Sequence, residues 1–193
     1  MKKLSLPNRI KPVSAWTCSL LMTALLSGCI TEPKFPKEPR ISFESIQKIN
    51  KPAVIGQVGG GERDSVIITI RFEDGDGDLG LIKGQANEEP WKTELRNYDV
   101  QTFVKRGNTW EDYKEQGKKI NQSGNFVFDP PVVGPSSKPS PIEGTLDYSL
   151  IFYQNKIKPS TPNDTVKFNI FIRDRARHES NRVETAPIIV YGL

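Results

Sequence analysis

Val66, Ile68, Ile70 and Phe72 occupy every second position of one segment, with Ser65, Thr69 and Arg71 among the residues between them. Such alternation turns one side of an extended chain to a core and the other to water, so it predicts a half-buried strand. The pattern recurs at Val166, Phe168, Ile170 and Ile172 against Lys167, Asn169 and Arg173, and again at Leu146, Tyr148, Leu150 and Phe152. Tyr98, Val100, Thr102 and Val104 form a weaker fourth case. Ile41 to Ile49 and Ala186 to Tyr191 read as the first and last strands, the latter at an edge or a strand start because Pro187 has no N–H for a ladder. No long helical period is present, and only Glu88 to Leu95 reads as a short helix. Gly59-Gly60-Gly61 is a turn signal and Gly107-Asn108 a hairpin signal. The prolines between Asp129 and Pro141 mark an irregular crossing loop. About seven short strands, with no helices to cover a parallel sheet, predict an all-β, antiparallel immunoglobulin-like sandwich over residues 41–193. Ile68, Ile70, Phe72, Phe168, Ile170 and Ile172 should be buried together.

The first forty residues follow another logic. Met1 to Ser14 is basic, and Ala15 to Leu26 is an apolar run of 12 residues, short of the roughly 20 that cross a hydrocarbon core. The run ends in Leu26-Ser27-Gly28-Cys29, which resembles the lipobox of bacterial lipoproteins. That resemblance implies a signal peptide over residues 1–28, cut just before a lipidated Cys29; the competing reading is an uncleaved N-terminal membrane helix. Residues 29–40 then form a lipidated tether, with Pro33, Pro36 and Pro39 spaced by three. Polyproline II geometry at about 3.1 Å per residue gives roughly 30 Å of semi-rigid reach. Ile30 stands where an Asp would mark inner-membrane retention by the lipoprotein rule, which implies the outer membrane. Glu32, diluted by Lys34 and Lys37, leaves the periplasmic face and the cell surface both open.

Charge changes meaning once that segment is removed. The chain of 193 residues has 27 Lys and Arg against 23 Asp and Glu. Lys2, Lys3, Arg9 and Lys11 all lie before Cys29, where there is no acid, so the rest carries 27 − 4 = 23 basic residues against 23 acidic ones. A neutral body excludes a basic nucleic-acid footprint. Of the two cysteines, Cys18 would leave with the signal peptide and Cys29 would carry lipid. The mature chain then has no intramolecular disulfide, thiolate nucleophile or cysteine metal site.

The segment Ile67-Ile68-Thr69-Ile70-Arg71-Phe72-Glu73-Asp74-Gly75-Asp76-Gly77-Asp78-Leu79-Gly80 resembles the signature of a family of Bacteroidota lipoproteins. Pro141-Ile142-Glu143-Gly144-Thr145-Leu146 and Asp174-Arg175-Ala176-Arg177-His178-Glu179-Ser180-Asn181 fit the same family. The resemblance supports the compartment and the sandwich. It supplies no activity, because none is assigned to the family.

Chemistry is sparse. His178 is the only histidine, so a hydrolytic triad would have to be built around it. It follows Arg173, Arg175 and Arg177 in a polar stretch that reads as an exposed loop. Gly59-Gly60-Gly61 lacks the Lys-Ser/Thr partner of a phosphate-cradling loop. The sharp feature is Asp74, Asp76 and Asp78 alternating with glycines, which lets three carboxylates turn toward one point. An EF-hand would need Gly and Glu where Leu79 and Gln85 stand, so the loop is not one. Either it binds Ca²⁺ or a similar hard cation, or it is a polar turn. In immunoglobulin order the strand ending at Phe72 is B and the one ending at Arg173 is F, whose following loops share an end. Asp74, Asp76, Asp78, Asp174 and Asn181 are therefore the expected metal set. The leading function is a non-catalytic, lipid-anchored module that binds an envelope protein or glycan or assists assembly. A purely structural envelope protein is the main rival, and an accessory hydrolase the third reading. An exposed strip of Trp91, Trp110 or Tyr113 would favour a glycan, but these aromatics read first as core or hairpin packing.

Overall fold

The computed structural model describes residues 33–53, 61–115, 118–119, 122–129, 131–154 and 163–191. The expected signal peptide, Cys29, the start of the tether, Gly59 and Gly60 lie outside them. Ten strands run through the described residues. They are β1 (Arg40–Lys51), β2 (Arg63–Asp74), β3 (Tyr98–Arg106), β4 (Thr109–Asp112), β5 (Lys114–Glu115), β6 (Lys118–Lys119), β7 (Ile142–Tyr153), β8 (Asp164–Ile172), β9 (Val183–Glu184) and β10 (Ile188–Val190). One antiparallel sheet has the order β1-β2-β7, and a second has the order β10-β8-β3-β4, with β9 also on β8. The two pack face to face as a β-sandwich, and all-β is the class.

Register follows the hydrophobic pattern. Ile68 stands between Ile46 and Tyr148, and Ile70 between Phe43 and Leu146. In the facing sheet Ile170 pairs with Val100, and Ile172 with Tyr98. A one-residue slip would turn each of these rows to water, so the alternation itself fixes the pairing. All six residues expected to be buried together are buried in one cluster, none more than 6% exposed. Tyr113 meets Phe152 edge to face within it, and Phe152 packs tilted against Phe168.

One local expectation is corrected, and one is met. Glu88 to Leu95 is a set of turns, not a helix; among the described residues the one helical turn is 3₁₀, at Gln85–Asn87. Lys92 and Glu94 do donate back to the carbonyls of Glu88 and Pro90, but Pro90 has no N–H to continue the ladder. Trp91 and Tyr113 are buried, at 3% and 2% exposure, and belong to the packing rather than to a surface strip. Trp110 is half-buried under the Lys167 ammonium, 4.7 Å from its ring centroid.

Candidate metal centre

β2 delivers Asp74 as its last residue, and β8 ends two residues before Asp174. The chain beyond β2 turns back so that Leu79 bridges Asp174 in antiparallel fashion, and the Arg175 N–H donates to the Asp78 carbonyl. The turn requires glycine: Gly77 has φ +74, and a Cβ there would stand 2.3 Å from the Ser140 carbonyl oxygen. The two loops thus bring a carboxylate oxygen from each of Asp74, Asp78 and Asp174 within 4.8 Å of one another.

What these carboxylates touch is telling. Asp74 Oδ2 accepts from the Leu79 N–H at 3.0 Å, and Asp78 Oδ2 from the Ala176 N–H at 3.1 Å. The Oδ1 atoms of Asp74, Asp76 and Asp78 are buried without a hydrogen-bond partner among the described residues. Asp74 and Asp174 are fully buried, at 0% exposure. The sandwich buries other acids, and their treatment differs. Asp64 meets Lys48 Nζ at 3.4 Å and the Tyr191 N–H at 3.0 Å, and Asp164 pairs with Arg106. Asp174 has the His178 imidazole Nδ1 at 2.8 Å from its Oδ2 and the His178 N–H at 2.8 Å from its Oδ1. Among the described residues no such cation is paired with Asp74. Arg175 is close enough to draw the Asp78 carboxyl down, yet its guanidinium donates to the carbonyls of Gly80 at 2.8 Å and Val133 at 2.7 Å.

Protonation follows from this crowding. Burial, then the charges of Asp76 and Asp78, push the Asp74 carboxyl up to about 7. Burial, then Asp174 and Asp76, push Asp78 up to about 6. Burial also raises Asp174, against the pull of His178, and the same pair raises the His178 imidazole above its ordinary range. Metal-free, the cluster can shed its excess charge only by holding protons. A hard divalent cation would do the same work with the unpartnered oxygens as ligands, and calcium takes 6–8 such oxygens.

Sequence reasoning placed both loops, but Asp76 stands outside the group of three carboxylates, and Asn181 was misplaced. Its amide is engaged elsewhere: Oδ1 accepts from the Ile41 N–H at 2.9 Å, and Nδ2 donates to the Ile41 carbonyl at 2.9 Å. These two hydrogen bonds cap the edge of β1 at Ile41. The contribution of His178 was missed because only the fold reveals that its partner is buried. No protein-family model matches the chain, and no curated protein or solved structure shows significant similarity to it.

Proposed function

We propose a lipid-anchored envelope protein whose sandwich is a non-catalytic binding or assembly module, held at one end by a calcium ion between two loops. The observation that carries this reading is the convergence of Asp74, Asp78 and Asp174 from non-adjacent loops, with a buried, unpartnered Asp74 oxygen among them. Asp76 adds a further unpartnered oxygen. An immunoglobulin-like assignment is supported by the division of strands: β1, β2 and β7 lie on one sheet, and β3, β4, β8 and β10 on the other. That division suits β2 as strand B and β8 as strand F. The non-catalytic reading is supported by the scarcity of chemistry, a single histidine and no cysteine beyond Cys29. Burial of Trp91 and Tyr113 removes two of the three aromatics that would have favoured a glycan, so an envelope protein is the preferred partner. The lipidated Cys29, the outer-membrane address and the likeness to Bacteroidota lipoproteins belong to the same proposal.

Calcium should raise the melting temperature. At about 100 times its dissociation constant an ion that binds only the native state adds about 2.7 kcal/mol, or roughly 5–11 °C for a domain of this size. Asp174→Ala should remove the rise; a wild-type melt unmoved between millimolar calcium and chelator rejects the staple. The anchor has its own test, incorporation of a fatty-acid analogue in cells. Wild type should be labelled and Cys29→Ala should not, and equal labelling of the two would refute lipidation.

A further inference from the structure

The end of the tether is part of the compact unit, which begins at Lys34 rather than at β1. Phe35 and Pro36 lie over the acidic loop, where the Gly75 N–H donates to the Pro36 carbonyl at 2.8 Å. A Cβ on residue 75 would stand 2.3 Å from the Phe35 carbonyl oxygen and 2.5 Å from that of Pro36, so only glycine allows this approach. Glu38 comes near enough to His178 to act on its charge, and Pro39 is buried. Ile41 is then clasped on both sides by the Asn181 amide. Between Phe35 and Ile41 the chain therefore touches both acidic loops, at Gly75 from the first and at Asn181 from the second.

We propose that cation binding at Asp74, Asp78 and Asp174 controls the docking of residues 35–39, so that the ion sets how much tether is free ahead of the domain. The proposal rests on the calcium reading above. Its logic is mechanical. The seat has two halves, one on each loop, and the carboxylates that repel when ionised are carried by those same loops. An ion between them fixes the halves at the spacing that the segment spans. Without it the few polar contacts of the segment must hold the loops together against that repulsion. Release would free five residues, about 15 Å of extended chain at about 3.1 Å each.

Lys34 and Lys37 make docking measurable, because a lysine-specific protease cleaves after them only when the segment is open. Limited proteolysis of the full chain, in millimolar calcium and in chelator, should show cleavage at both sites slowed on the order of tenfold by calcium, since cleavage tracks the open population. Melting curves are recorded on the same samples. Pro39→Gly and Asn181→Ala keep all the carboxylates and the acidic-loop glycines but loosen the segment or its seat; they should retain the calcium-induced rise in melting temperature and lose the calcium-dependent protection. A wild-type protein that gains stability from calcium but is cleaved at the same rate overturns the tether proposal alone. So would protection that survives in both variants. A wild-type melting temperature that ignores calcium overturns the metal reading itself, and the tether proposal with it.

Discussion

Asp74→Asn should stabilise the metal-free domain at about pH 8 and abolish its response to calcium. The folded Asp74 carboxyl titrates at about 7, against about 3.9 for an unfolded Asp. Between those values the native state holds more protons than the unfolded one, so stability falls as pH rises from about 4 through about 7. Asp78, raised to about 6, acts in the same direction. Near pH 8 the native chain carries a buried, ionised Asp74 whose cost is on the order of 3 kcal/mol, roughly 6–12 °C in melting temperature. Asparagine keeps an oxygen for the Leu79 N–H, and its amide can donate to the neighbouring carboxylates. Melts at about pH 5 and about pH 8 in chelator should therefore show a fall in wild type that is largely gone in the variant. With calcium the wild-type fall should shrink, because the ion takes the deprotonated form. A variant less stable than wild type near pH 8, and still responsive to calcium, would contradict both halves.

The fold was legible where the chain has one dry and one wet face. β2 and β8 write their burial directly into sequence, because Val66 to Phe72 and Val166 to Ile172 each lean on the opposite sheet. The meeting of the two acidic loops was legible too, since strand order alone places the ends of β2 and β8 together. What was hidden depends on single long-range contacts. Nothing near Asn181 announces that its amide will bond to Ile41, 140 residues away. Trp91 is drawn into the core from a segment without period, where the Asn125 amide bonds to its carbonyl. The docked tether was hidden for a similar reason: a proline repeat reads as a free spacer unless one sees the glycine beneath it. Charge was the least legible quantity. Asp64, Asp74 and Asp164 look alike in sequence, and only their partners separate two neutralised carboxylates from the one without a cation.

Ile170→Ala should cost about 2–5 kcal/mol, because a fully buried side chain is lost and the cavity cannot close completely. Ile170 sits in mid-β8 with Val100 and Val183 as strand partners, at 0% exposure in the central cluster. Ile189→Ala is the control: at 54% exposure it should stay within about 0.5 kcal/mol. The pair of variants also separates core from staple. Asp174 lies four residues beyond Ile170, about 13 Å along an extended chain at about 3.3 Å per residue. Effects at that separation are usually additive within about 0.5 kcal/mol. The calcium-induced gain should therefore be the same in Ile170→Ala as in wild type, on a curve shifted to lower temperature. A loss within the surface range would mean that the buried face was read wrongly. A gain that collapses with the core mutation would mean that the ion stabilises the packing between sheets rather than the two loops.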